Sequence, residues 1–128
     1  MGGPLFRIVP QISGKALSLK DGNIAANTQV VQEPDNDNDP DSQLWYFETV
    51  EGNDINTLNG GYIKNKKANL CLAIQGSDAN GSFVVTVPKE VARLWNYNEM
   101  TNNINLADNP NLILTIADRS PDDGKPLI

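Results

Sequence analysis

The feature that most constrains the fold of this chain is an internal repeat. The first copy starts at residues 14–19 and closes at Gln43-Leu44-Trp45. The second starts at residues 68–74 and closes at Arg93-Leu94-Trp95, and a third opens at residues 111–116. Self-similarity that recurs about every 40 to 55 residues indicates that one structural unit is built more than once.

Each copy opens with large apolar residues that alternate with small or polar ones. Leu17-Ser18-Leu19, Leu72-Ala73-Ile74 and Leu114-Thr115-Ile116 share this pattern, which is typical of a half-buried strand. The β-branched run Val84-Val85-Thr86-Val87 is a second strand signal. Clusters of Gly, Asn, Asp and Pro separate these segments, and one of them, Asn59-Gly60-Gly61, is predicted to be a turn. We therefore predict an all-β chain.

Three repeats of about four strands each favour a β-trefoil, since a propeller normally needs four or more blades. We predict one domain over residues 1–128, with repeats at approximately 5–50, 60–100 and 101–128. The sequence ends within the third copy, before a third tryptophan. We therefore expect the third repeat to be incomplete at its C-terminus.

The composition argues against several functions. A net charge of −6 offers no basic surface for nucleic acid. No apolar run is long enough for membrane insertion, and no signal peptide is visible. We expect a protein that is cytoplasmic or released without a signal peptide.

Catalytic chemistry is also poorly supported by the sequence. The chain has no histidine and a single cysteine, which rules out a Ser-His or Cys-His pair and an internal disulfide. The acidic residues lie in turn-rich segments rather than in the apolar surroundings that a general acid needs. We expect no enzyme activity, no catalytic residue, no cofactor and no bound metal.

The residues that close the first repeat carry a family resemblance. Gln43-Leu44-Trp45 resembles the Gln-x-Trp motif of the ricin-B-like (R-type) lectins. The opening Phe6-Arg7-Ile8-Val9 and the run 14–19 are similar to the first repeat of mushroom and ascomycete agglutinins. The resemblance spans essentially the whole chain. It is weaker in the second repeat, where Arg93 replaces the glutamine.

The resemblance implies that its marker residues are structural. Trp45 and Trp95 would pack in the core near the pseudo-threefold axis rather than stack on a sugar. Gln43 would hydrogen-bond backbone in the neighbouring turn, a role that Arg93 could imitate only in part.

Galactose-binding repeats of this family use an Asp, an aromatic residue and an Asn at fixed positions. None of the three repeats of this chain retains that triad. The Asp position corresponds to Ser18, Ala73 and Thr115, the aromatic position to Gln32 and Thr86, and the Asn position to Ser42 and Ala92.

The first repeat still offers polar residues around one shallow groove. Carboxylates accept hydrogen bonds from sugar hydroxyls, and amides both donate and accept them. The candidate sugar-binding residues are Asp21, Gly22, Asn23, Gln32, Asp39, Asp41 and Ser42. The second-repeat candidates are Ser77, Asp78 and Asn80. The alternative is that these residues only form turns, since Asp, Asn and Ser dominate turns for backbone reasons.

These observations predict a lectin that recognises galactose- or N-acetylgalactosamine-type glycans on glycoproteins. Single sugar sites are weak and gain avidity when copies are linked, so we also expect a homodimer. The alternative function is a β-trefoil protease inhibitor of the fungal type, in which a protruding loop, 32–42 or 52–61, would insert into the protease.

Residues 35–41 suggest a further alternative, because acidic residues at alternate positions resemble the start of an EF-hand calcium loop. Pro40 stands where the glycine turn should be, and Tyr46 where the bidentate glutamate should be. We expect a solvated loop, with weak calcium binding as the alternative.

Overall fold

The computed structural model describes residues 5–9, 14–34, 38–55, 58–76, 82–110 and 112–114. Within these ranges the chain forms nine strands, three single-turn 3₁₀ segments and no α-helix. The strands are β1 (Ala16–Leu19), β2 (Val30–Glu33), β3 (Trp45–Glu48), β4 (Asp54–Ile55), β5 (Asn59–Asn65), β6 (Cys71–Ile74), β7 (Val84–Val87), β8 (Trp95–Asn98) and β9 (Asn103–Leu106). The 3₁₀ segments are Lys20–Gly22, Pro40–Gln43 and Lys89–Val91. None of the described helical segments has the length and apolarity to cross a membrane.

Two antiparallel hairpins repeat the same register. In the first, β1 pairs with β2 and Leu17 lies opposite Gln32; in the second, β6 pairs with β7 and Leu72 lies opposite Thr86. The hairpins also contact each other, because the Thr86 N–H donates to the Thr28 carbonyl at 3.0 Å. This is the hairpin cap of a trefoil, contributed by repeats one and two.

A second set of strands forms the barrel wall. Strand β3 pairs with β5, β5 with β8, and β8 with β9. The segment 5–9 joins this wall, since Phe6 and Trp45 exchange backbone hydrogen bonds of 2.7 and 2.9 Å. Each barrel strand therefore recurs at the same place in its repeat, and the all-β, trefoil architecture is confirmed.

One predicted turn is wrong. Asn59-Gly60-Gly61 is the beginning of β5, where the pairing with β8 shifts register. Gly60 has a φ of 71°, which a glycine adopts at no steric cost. The glycines thus allow a bulge within a barrel strand rather than a chain reversal.

The two tryptophans occupy equivalent places in the core. Trp45 is 0% exposed and donates its indole N–H to the Leu17 carbonyl at 3.0 Å. Trp95 is 1% exposed and donates to the Leu72 carbonyl at 3.2 Å. Each ring ties the closing strand of its repeat to the first hairpin strand, and neither leaves a surface for a ligand.

The single cysteine is a core residue of the second hairpin. Cys71 is buried in β6, and this burial raises the pKa of its thiol to about 11. A thiol held in its protonated form is a poor nucleophile. Cys71 therefore acts as a small apolar side chain.

Candidate functional site

A polar groove lies on the first repeat, between the turn that follows β1 and the segment that precedes β3. It has a volume of about 450 Å³. Its lining residues are Ser18, Leu19, Asp21, Gly22, Glu33, Pro34, Asp39, Ser42 and Gln43.

One wall of the groove is the tight turn at residues 20–23, closed by a hydrogen bond from the Asn23 N–H to the Lys20 carbonyl at 3.1 Å. Asp21 and Gly22 both have left-handed backbone conformations, with φ of 56° and 66°. Aspartate and glycine tolerate this region better than other residues. The sequence Asp-Gly thus makes a sharp turn whose carboxylate lines the groove.

The opposite wall is the 3₁₀ segment Pro40–Gln43, and hydrogen bonds from two of its own side chains hold it in place. The Gln43 side chain is fully buried and its Nε2 donates to the Pro34 carbonyl at 2.7 Å. The Ser42 hydroxyl donates to the Asp39 carbonyl at 2.9 Å. These two bonds fix the 3₁₀ segment against Asp39 and against Pro34 at the end of β2.

Two serines meet at the floor of the groove. The Oγ atoms of Ser18 and Ser42 lie 3.5 Å apart, and the residues are 4% and 2% exposed. They are the positions that the family resemblance assigned to the Asp and the Asn of a galactose site. The fold therefore brings these two positions together, although the side chains here are small.

A lysine from the second repeat braces both walls. The Lys67 ammonium donates to the Gly22 carbonyl at 2.9 Å and to Asp39 Oδ2 at 2.8 Å. A Cβ at position 22 would lie 2.6 Å from Asp39 Oδ2 and 3.0 Å from Lys67 Nζ. Glycine is therefore needed at position 22 both for its backbone conformation and for the space that this brace occupies.

The turn that carries Lys67 is fixed by a buried asparagine. Asn65 accepts hydrogen bonds at its Oδ1 from the Lys67 and Ala68 N–H groups, at 2.9 and 3.0 Å. Its Nδ2 donates to the Ser42 carbonyl at 3.1 Å. One side chain thus positions the lysine and holds the neighbouring wall of the groove.

The charges of the groove are distributed unevenly. Asp39 is paired with Lys67 at 2.8 Å, and Asp41 with Lys66 at 3.3 Å. No cation of the described residues lies within ion-pair distance of Asp21 or Glu33. The wall formed by the 20–23 turn and the end of β2 therefore presents to the groove two carboxylates that are unpaired among the described residues.

A sequence model of the ricin-type β-trefoil lectin domain-like family matches residues 1–87, more than half of the chain. The chain belongs to this family. No curated protein sequence matches the chain at a significant level.

Solved structures of R-type lectins share the fold of this family member. The Rhizoctonia solani agglutinin aligns with a TM-score of 0.79 at 18% identity, over 100% of this chain and 85% of that one. A Macrolepiota procera ricin-B-like lectin in complex with lactose aligns at 0.73 and 17% identity, over 99% and 85%. The C-terminal half of an earthworm R-type lectin in complex with N-acetylgalactosamine aligns at 0.73 and 18% identity, over 96% and 85%.

Of the seven predicted first-repeat residues, four line the groove of this R-type scaffold, two lie beside it and one is buried in the hairpin. Asp21, Gly22, Asp39 and Ser42 line the groove. Asn23 and Asp41 lie beside it without lining it. The Asn23 Oδ1 accepts the Ala25 N–H at 3.0 Å, and Asp41 pairs with Lys66.

Gln32 departs from the prediction, because it is buried within β2 and does not line the groove. The half-buried pattern predicted for β1 is also wrong. All four β1 residues are buried, because the hairpin is covered on both faces. Ser77, Asp78 and Asn80 lie outside the described residues, and so do residues 35–37 of the proposed calcium loop. Among the described residues, no cluster of three or more potential metal ligands is present.

Three groove elements were missed from the sequence. Glu33 is the last residue of β2 and Pro34 follows it, so their position at a strand end could have indicated them. Lys67 gave no such signal, because it belongs to the next repeat and reaches the groove only through the fold.

At the equivalent place in the second repeat of this lectin-family domain, the described residues are apolar. Ala73 and Val87 are buried together, and Ala92 packs against them. These residues are equivalent to Ser18, Glu33 and Ser42, so apolar contacts replace the polar lining.

Proposed function

We propose that this protein is a lectin that binds galactose- or N-acetylgalactosamine-type glycans in the groove of its first repeat. Membership of the ricin-type family supports a carbohydrate ligand. The complexes of the earthworm lectin with N-acetylgalactosamine and of the Macrolepiota lectin with lactose support a galactose-type sugar.

The observation that carries the proposal is the convergence of Asp21, Asp39 and Ser42 from separate loops onto one open groove. Sugars present a fringe of hydroxyl groups, which carboxylates and serine hydroxyls can bind. The ring of Pro34 supplies apolar surface beside them. A shallow groove of this kind gives affinities of about micromolar to millimolar.

Binding without catalysis fits the groove best. A general acid for glycoside hydrolysis needs a carboxyl group in apolar surroundings that favour its protonated form. The groove is polar and open instead, and its acids either face solvent or pair with lysine. The proposed ligands are therefore glycans and glycoproteins that are bound and released unchanged.

The test compares two glycine substitutions on a galactose-type glycan array and by calorimetry. Asp21→Gly removes a groove carboxylate at a φ of 56°, and Asn27→Gly removes an exposed side chain at a φ of 67° outside the groove. Both backbones suit glycine, so neither variant should unfold. We expect Asp21→Gly to weaken glycan binding by about tenfold or more and Asn27→Gly to leave it unchanged. Equal affinity of both variants and the parent would contradict the groove as the site.

We further propose a homodimer, because one competent groove in each chain cannot cross-link cells. Sedimentation velocity beside haemagglutination tests this. A strict monomer that still agglutinates cells would instead require a second site on the same chain. Papain and trypsin inhibition assays, run in parallel, separate a lectin from the protease-inhibitor alternative.

A further inference from the structure

We infer that the first-repeat groove selects glycans that carry a free amino group, such as galactosamine residues, over neutral and anionic glycans. This inference rests on the proposed lectin function. It concerns the charge of the ligand, which the fold of the family does not determine.

The charge pattern of the groove is the basis of the inference. The wall at residues 38–43 is neutralised, since Asp39 pairs with Lys67 and Asp41 with Lys66. On the other wall Asp21 and Glu33 have no ion-pair partner among the described residues. The groove therefore presents two carboxylates without a compensating cation in the described part of the chain.

The Lys67 ammonium touches this second wall at the Gly22 carbonyl but forms its ion pair with Asp39 on the other wall. Its ammonium donates to Asp39 at 2.8 Å and to the Gly22 carbonyl at 2.9 Å, and both bonds hold the walls together. The net charge of −6 adds a negative potential over the whole surface. An ion-pair partner for Asp21 or Glu33 would therefore come from the ligand.

A hexosamine residue with a free 2-amino group matches these features. Its ammonium can form a charge-assisted hydrogen bond with Asp21 or Glu33, and such bonds are stronger than neutral ones. Its hydroxyl groups can form hydrogen bonds with Ser42 and with the remaining carboxylate oxygens. N-acetylation removes the charge, and a sialic or uronic acid brings a carboxylate towards two others, which is unfavourable.

The expected preference is moderate because Asp21 is exposed and Glu33 half-buried. An ion pair in such a setting changes affinity by about threefold to tenfold. Salt screens it, so the preference should decrease between about 20 mM and about 500 mM sodium chloride.

The experiment measures binding of galactosamine, galactose and N-acetylgalactosamine by calorimetry at about pH 6, where an aliphatic amine is protonated. The variants are Asp21→Asn and Glu33→Gln, which keep size and remove one charge each. Glu99→Gln is the matched control, because Glu99 is an exposed acid in the turn between β8 and β9. Ethanolamine serves as a competitor that carries an amine without a sugar ring.

We expect the parent and Glu99→Gln to prefer galactosamine by about threefold to tenfold, and each groove variant to lose most of that preference. Equal affinity of the parent for all three sugars would overturn the inference and leave the proposed lectin function intact. Competition by ethanolamine at the concentrations where galactosamine competes would also overturn it, since the ammonium alone would then be recognised. Failure of every sugar to bind would overturn the lectin proposal and the inference with it.

Discussion

Repeats one and two share a backbone and differ in what that backbone presents. Their hairpins have the same register, and their tryptophans make the same indole hydrogen bond to the first hairpin strand. Yet polar Ser18 and Ser42 in repeat one correspond to Ala73 and Ala92 in repeat two. The core residues determine the trefoil, and a few substitutions around each hairpin make its described surroundings polar in repeat one and apolar in repeat two.

The connection before the tryptophan differs as well. The segment from Pro34 to Gln43 is longer than its counterpart from Pro88 to Arg93, and it supplies Asp39 to the groove. The equivalent of Gln43 is Arg93, which donates to Asp108 at 2.8 Å. Repeat two thus has alanines in place of the two serines and Lys89 in place of Asp39, and its described residues form an apolar cluster there.

Ion pairs also connect the two repeats. Three acids of repeat one pair with lysines that belong to repeat two, in the ion pairs Lys64–Glu48, Lys66–Asp41, Lys67–Asp39 and Lys89–Glu48. Repeat two therefore supports the loop that forms one wall of the first-repeat groove. The similarities and differences between the repeats can be tested by substitution.

The largest effect is expected from the tryptophans. Trp45→Ala and Trp95→Ala should each lower the free energy of unfolding by about 3 to 5 kcal/mol, because each removes a fully buried ring. Urea unfolding measures this. The milder Trp45→Phe variant keeps a ring and removes the N–H that bonds to Leu17. Loss of glycan binding in Trp45→Phe at unchanged stability would contradict a purely structural role.

The next effect concerns the glycines of the two equivalent turns. Gly22 and Gly76 have φ of 66° and 79°, so alanine at either costs about 1 kcal/mol of backbone strain. Only at Gly22 would the added Cβ meet neighbours, at 2.6 Å from Asp39 and 3.0 Å from Lys67. We expect Gly22→Ala to lose about 2 kcal/mol in total and about tenfold in glycan affinity.

Gly76→Ala is the matched control, because its Cβ would meet nothing within 4 Å. It should show the strain alone and keep its glycan affinity. Equal losses in the two variants, measured by urea unfolding and calorimetry, would show that the Lys67 brace contributes nothing.

The repeats show how far the sequence could predict the molecule. Alternation and the Gln-x-Trp motif were sufficient for the trefoil, because core positions such as Trp45 recur with the period of the fold. Asn59-Gly60-Gly61 was mistaken for a turn because glycines permit a bulge and a reversal alike. Lys67 could not be foreseen, since 45 residues separate it from Gly22 and only the folded barrel brings them together.

A smaller effect is expected at Glu48, whose equivalent in repeat two is the neutral Asn98. Burial by itself raises the pKa of Glu48, but the hydrogen bond from Lys89 and the charge of Lys64 outweigh it, so the pKa lies below its ordinary value of 4.5. A carboxyl with a lowered pKa stabilises the fold above its unfolded pKa, and this contribution is lost as the pH falls through the folded pKa.

Glu48→Gln should therefore lower the free energy of unfolding by about 1 kcal/mol at neutral pH. The difference from the parent should close as the pH falls below 4.5. Unfolding at several pH values tests this, with Glu51→Gln as a control for an exposed acid in the same repeat. A difference that stays constant down to low pH would mean that packing, rather than charge, accounts for the loss.

The smallest effect on stability is expected when the two serines of the repeat-one groove are replaced by the alanines found at the same positions of repeat two. Ser18→Ala with Ser42→Ala removes two buried hydroxyls that bond to nearby carbonyls, at 3.3 and 2.9 Å. The change in unfolding free energy should stay within about 1 kcal/mol, while glycan affinity falls by about tenfold because the groove floor becomes apolar. The reverse exchange, Ala73→Ser with Ala92→Ser, should create no binding, since repeat two has no counterpart of Asp39. Glycan binding gained by that exchange in an Asp21→Gly background would show that two serines are sufficient and that the acids of the groove are not required.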